Sequence, residues 1–169
     1  MINPETLLRQ ALDALELKKL FSYDPNTGIF TRRVSAGATK AGDIAGSKDS
    51  RGYLKIKIDY RNYQAHRLAW LYTTGVWPED QIDHINGAPD DNRIENLREA
   101  TNSANQQNRR KARGDNKLGV LGVRRSGKRF QAEIRIDGKA SHLGTYPTAQ
   151  AAHAAYLTAK REMHPGGTI

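Results

Sequence analysis

The sequence predicts an α+β fold in which small antiparallel sheets and helices occupy separate stretches of the chain. Three observations carry this. Residues 53–60 alternate, with Leu54, Ile56 and Ile58 on one side and Lys55 and Lys57 on the other, which is the period of a half-buried strand. Residues 118–146 hold three short strand-like runs separated by Ser126-Gly127 and Asp137-Gly138, the second a preferred hairpin pair. Leucines and alanines at helical spacing occur near the two ends, over 4–20 and 149–163.

Taken in order, Asn3-Pro4 offers an N-cap followed by proline at the first helical position. Leu7, Leu8, Ala11, Leu12, Leu15 and Leu20 then make one amphipathic helix over 4–20. Asp24-Pro25-Asn26-Thr27-Gly28 is turn chemistry between two apolar-rich triplets, so 21–31 is a hairpin. Residues 35–52, rich in Gly, Ala and Ser, read as loop. After the alternating strand, a turn at 60–62 leads to a helix over 66–74 that Gly75 and Pro78 end. Two strands at 81–84 and 96–100 precede a helix over 102–111. Further strands are expected at 119–123, 130–136 and 141–146. Pro147-Thr148 then caps the last helix, whose alanines let it lie close against a sheet.

At 169 residues with 37% hydrophobic content, the chain suits small modules with much exposed surface. It has no cysteine, which excludes a disulfide framework and a Cys-ligated zinc site. Any metal must take oxygen ligands or the histidines at 66, 84, 142, 153 and 164, of which His153 and His164 are expected at the surface. No apolar run approaches the roughly 18 residues that a membrane span needs, and MINPETLLRQ lacks the features of a signal peptide. A soluble, cytoplasmic protein is the expectation, with no membrane and no small-molecule substrate. The net charge of +9 is concentrated: residues 109–139 hold eleven Lys or Arg against three acids, a net of +8. That stretch calls for a polyanion, because phosphate neutralisation releases counterions.

The chemistry centres on IDHINGAPDDNRIENLREATNSANQQNRR, residues 82–110. Asn96 follows His84 by twelve residues and Asn105 follows Asn96 by nine. A strand, loop, strand and helix that fold back on themselves would set Asp83 against Asn105. One carboxylate and one amide oxygen make a hard site, suited to Mg²⁺, with Mn²⁺ as the alternative. A neutral His84, with a reference pKa of roughly 6.5, can take a proton from water. Asn96 is fitted to orient the loop or His84, since an amide has no useful acid-base chemistry. Taken singly, each of these residues reads as turn, cap or exposed helix position; their joint spacing favours catalysis.

With Ala65-His66-Arg67-Leu68 before it, this segment resembles the HNH (ββα-metal) nucleases, closest to the phage and intron-encoded homing type. The resemblance implies that Asp83 and Asn105 are metal ligands, His84 the general base and Asn96 the structural asparagine. His66 is either a support near the site or a satisfied core histidine. Some members carry histidines where this chain has Asn105 and Arg109, which points away from a zinc-preferring site. Cleavage leaving 5′-phosphate and 3′-hydroxyl ends is implied.

Residues 118–163 resemble the plant ethylene-response-factor (Apetala-type) DNA-binding domain through Gly122-Val123-Arg124, Ala132-Glu133-Ile134-Arg135, His142-Leu143-Gly144-Thr145-Tyr146 and the helix from Ala151 to Tyr156. The resemblance implies a three-stranded sheet in the major groove, with Arg124, Glu133, Arg135 and His142 at groove-contacting positions and Arg125 and Lys128 on phosphates. The family's groove tryptophans are replaced here by Gly127 and His142. Glu133 and Arg135 can equally form a cross-strand salt-bridging surface.

The expected organisation is a helix and hairpin region (1–64) adding DNA contacts through Lys55 and Lys57, then a nuclease core (65–111). A basic linker (112–117) and a DNA-binding domain (118–169) follow. Arg109 and Arg110 add DNA contacts at the end of the core. The expected function is metal-dependent hydrolysis of duplex DNA. A non-catalytic DNA-binding regulator on a degenerate HNH scaffold is the alternative, and an RNA-binding module a weaker one. The oligomeric state is left open, a monomer being consistent.

Overall fold

The computed structural model describes residues 12–108, 112, 114, 116–136 and 138–164. Its α+β architecture divides into two compact units, residues 1–99 and 100–169. In the first, helix α1 (Ala14–Leu20) starts where the Asp13 carboxylate accepts from the Glu16 amide at 2.8 Å, and it buries Leu17. The expected start at Asn3-Pro4 lies outside the described residues. Strands β1 (Phe21–Asp24) and β2 (Ile29–Arg32) form the expected hairpin, its turn held by Asp24 accepting from Asn26 N and Thr27 Oγ1.

The stretch 35–52 is not loop throughout. Strand β3 (Ile44–Ala45) pairs with β2, and β4 (Ser47–Lys48) pairs with the longer β5 (Leu54–Ile58). Gly, Ala and Ser are poor strand formers, so these two-residue strands exist because an established edge offers them partners. Strand β6 (Arg61–Gln64) closes onto β5 through a two-residue loop, Asp59-Tyr60, with φ 45° and 63°. That is the doubly left-handed turn of a tight hairpin, and it begins one residue earlier than the expected turn at 60–62. Helix α2 (Ala65–Thr74) follows directly and ends on Gly75.

Strands β7 (Gln81–His84) and β8 (Leu97–Ala100) make a two-stranded sheet. Ile94–Asn96, partly assigned to strand from the sequence, is a 3₁₀ turn delivering the chain into β8. The first core draws on every part of the unit: Leu17, Phe21, Phe30, Ile56, Leu68 and Leu97 are all buried.

In the second unit, helix α3 (Asn102–Gln107) is followed by a sheet of order β11-β10-β9 and by helix α4 (Ala149–Met163). Strands β9 (Val123–Ser126), β10 (Arg129–Ile136) and β11 (Lys139–Tyr146) are antiparallel. The first begins at Val123 instead of running over 119–123. Gly119 and Gly122 sit at φ 64° and 74°, outside strand geometry, and a side chain on Gly122 would enter the Tyr156 ring. Thr148 caps α4 by accepting from Ala151 N at 3.2 Å. Val123, Ala132, Ile134, Ala152, Tyr156 and Ala159 form this unit's core. His164 is not a surface residue: it is 7% exposed and its Nε2–H donates to Arg135 O at 2.7 Å. His153 is half-buried, its Nδ1 bonded to Leu121 O at 2.8 Å.

Candidate active site

Strand β7 begins with the exposed Gln81, buries Ile82, and carries Asp83 and His84, both buried, at its end. Across the pair of strands, Arg98 of β8 donates through Nε (3.0 Å) and Nη2 (2.8 Å) to one oxygen, Oδ2, of Asp83. The guanidinium therefore compensates a carboxylate that burial would otherwise disfavour.

Beyond His84 the chain makes a loop tied at several points. Asn96 Oδ1 accepts from Asn86 N at 2.9 Å, its Nδ2 donates to Asp91 O at 2.8 Å, and its main-chain oxygen accepts from Ile85 N at 2.9 Å. One amide side chain thus fastens both ends of residues 85–96. Within the loop Asp91 receives the Arg93 guanidinium at 2.8 Å and Asn86 Nδ2 at 2.6 Å. The Arg93 bond, ahead of the others, holds the Asp91 carboxyl down to about 2.

Asn92, 1% exposed, points its Oδ1 at His84 Nε2, 3.1 Å away, while its Nδ2 donates to Asp90 O. An amide oxygen only accepts, so His84 carries its proton on Nε2 and its basic electron pair on Nδ1. Burial pushes the His84 pKa down against the opposing pull of Asn92 and Asp83, and the ring is neutral at pH 7. His66, the second residue of α2, meets His84 edge-on with ring centroids 5.0 Å apart. Tyr53 touches both rings, at 5.6 Å and 5.7 Å. His66 is pushed down to about 3 by burial first and by His84 and Arg67 next, and its buried Nδ1 has no hydrogen-bond partner among the described residues.

Residues that sequence reasoning passed over hold this arrangement from behind. Tyr23 Oη donates to Asn92 O at 2.7 Å, and Ile94 N donates to Pro25 O at 3.3 Å. Gly28, at φ 73°, lies so close that a Cβ would come within 2.6 Å of Arg93 N. The β1–β2 turn is therefore pressed against the segment bearing Asn92. In the sequence Asp90-Asp91-Asn92-Arg93 looks like any polar loop, and Asp24 to Gly28 like any hairpin turn; only their meeting gives either a role.

Of the other expected residues, Lys55 is half-buried and paired with Asp49 at 3.3 Å, whereas Lys57 is exposed. Asn105 stands on α3 in the second unit, and Arg109 and Arg110 lie outside the described residues. In the second sheet the register puts Arg124 opposite Gln131 and His142 opposite Glu133, so these share one face. Arg124 Nε is 3.5 Å from Glu133 Oε2. Arg125 faces the other way, paired with Phe130 and 5.9 Å from its ring; Lys128 is exposed in the turn and Arg135 on β10. No group of three or more His, Cys, Asp or Glu able to hold a metal occurs among the described residues.

No described helix is long and apolar enough to cross a membrane. Comparison with curated proteins and with solved structures finds no match. A family model described as HNH endonuclease matches residues 63–107, from the end of strand β6 through α3, and includes Asp83, His84, Asn92, Asn96 and Asn105. Residues 63–107 are thus similar to the HNH endonucleases, and the match supports a nuclease-type, DNA-binding segment.

Proposed function

We propose that the chain is a metal-dependent DNA endonuclease of the homing type, with β7, β8 and α3 as a ββα-metal centre. The observation that carries this reading is the His84 imidazole. It is buried, neutral and bonded through Nε2 to Asn92, so its basic nitrogen is Nδ1. Water attacks phosphorus while His84 Nδ1 takes its proton, the bond from phosphorus to the 3′ oxygen breaks, and that oxygen takes a proton from solvent water, leaving 5′-phosphate and 3′-hydroxyl ends. By the resemblance, Asp83 and Asn105 would hold Mg²⁺, or Mn²⁺ in its place, which would supply charge neutralisation at the phosphate. Asn96 keeps the loop in shape, and His66 with Tyr53 walls His84 from bulk water.

Phosphates are held by Lys55, Lys57, Arg109, Arg110, Arg125 and Lys128. Arg124, Glu133, Arg135 and His142 present an ethylene-response-factor-like face to the groove. Joining a loose cutter to a separate DNA-binding module raises its effective concentration at the target. A second reading, a DNA-binding regulator on an inactive HNH scaffold, draws on the Arg98 guanidinium that already occupies Asp83 Oδ2.

Supercoiled and linear duplex DNA incubated with the protein, with Mg²⁺ or with chelator, separates the two. Metal-dependent nicking that disappears in His84→Ala, with binding kept, is expected. Binding without cleavage on phage or host genomic DNA would favour the regulator.

A further inference from the structure

Tyr60 is 94% exposed, the most open of the large exposed hydrophobic side chains, and it occupies the second position of the β5–β6 loop at φ 63°. Glycine or asparagine is the ordinary occupant of that position, because a Cβ there crowds the neighbouring carbonyl. The fold gains little from the ring in return, since almost none of it is covered. Lys57 Nζ lies 5.4 Å from the ring centroid, and its cross-strand partner is Asn62, also exposed. Arg61 follows at the same tip. From residue 53 to residue 64 the chain carries Lys55, Lys57 and Arg61 against the single acid Asp59.

From this we infer that the β5–β6 hairpin tip is a contact element for double-stranded DNA, with Tyr60 lying against base and sugar in a groove and Lys57 and Arg61 on the flanking phosphates. The chemistry singles out a nucleic acid. One flat, amphipathic ring flanked by cations matches the sugars and base edges that line a groove between rows of phosphates, and it lacks the several apolar side chains that a protein or lipid surface would need to bury. The tight hairpin holds the backbone beneath the ring, so little loop freedom is lost on contact. Residues 53–62 lie outside the matched family segment, so this contact would be an addition to the HNH unit. The inference rests on the reading of the chain as a duplex-DNA protein.

The test uses the full-length protein in EDTA, so that no strand is cut, titrated against a fluorescein-labelled duplex and against its single strand. Tyr60→Gly and Tyr60→Asn both suit the left-handed backbone and are expected to melt no lower than the parent. They are expected to bind the duplex roughly 5-fold or more weaker, the effect of losing one aromatic contact worth about 1 kcal/mol. Tyr60→Phe should keep the affinity. Lys57→Ala should flatten the dependence of log affinity on log salt by about one. Parent-level duplex binding by both Tyr60→Gly and Tyr60→Asn would overturn the inference alone, as would a loss confined to the single strand. A parent protein that binds no duplex would overturn the DNA reading and this inference with it.

Discussion

His66 and His84 show what burial does to a pair of imidazoles. Each is neutral at pH 7, and for His66 the folded pKa is about 3 against an unfolded value of roughly 6.5. The unfolded chain therefore binds more protons at this residue wherever the pH lies between those values. Stability is full above pH 6.5 and falls as the pH drops toward 3, by about 2 kcal/mol at pH 5. Urea midpoints measured from pH 7 to pH 4 should fall less steeply in His66→Gln than in the parent; parallel curves would remove His66 from the account. Asn92 acts on the other nitrogen of the other ring. Asn92→Ala leaves the His84 Nε2–H without its acceptor, which costs about 1–3 kcal/mol of stability and lets the ring turn. Cleavage should drop at least tenfold with DNA affinity unchanged, and the pH–rate profile should shift, a signature that a purely structural loss would not produce.

Among elements, the β1–β2 hairpin has the least obvious role. Gly28→Ala adds a Cβ against the backbone of Asn92 and Arg93 at a left-handed φ, so overpacking and strain act together. A loss of about 2 kcal/mol or more in urea unfolding is expected, accompanied by lower cleavage. Gly122→Ala, under the Tyr156 ring, should weaken the second unit in the same way. Strand β5, helix α2 and the β1–β2 turn were legible in the sequence because period and turn chemistry are local. The start of β9 was not: Val120 and Leu121 look like strand, but they pack as part of an irregular approach that the left-handed Gly119 and Gly122 bend. His164 was illegible for a related reason, since its burial depends on Arg135 O, 29 residues away. At the site, His84, Asp83 and the loop asparagine stood out by spacing, whereas Asn92, Tyr53 and Arg98 acquire meaning only when β7, β8 and the hairpin meet around them.

For the whole molecule the governing quantity is charge. A net of +9, most of it in residues 109–139, predicts duplex binding that weakens steeply with salt. Arg124→Ala combined with Arg135→Ala should lower affinity and reduce the salt slope by about two if both side chains meet phosphate or groove. The Arg124–Glu133 pair offers the competing outcome. If these arginines serve only that surface, fluorescence anisotropy will show slope and affinity unchanged. The two hydrophobic cores draw on separate residues, so each unit owes its fold to its own interior.

The pressure of Gly28 and Tyr23 on Asn92 has a consequence for how such a chain can be rearranged. The segment similar to the HNH endonucleases runs from 63 to 107, yet the support behind its histidine comes from residues 23–28. The matched segment is therefore not a portable part. A chimera that transplants it onto a new targeting scaffold must carry the distant hairpin along or rebuild an equivalent buttress, and exchange between relatives would be tolerated only where both pieces travel together.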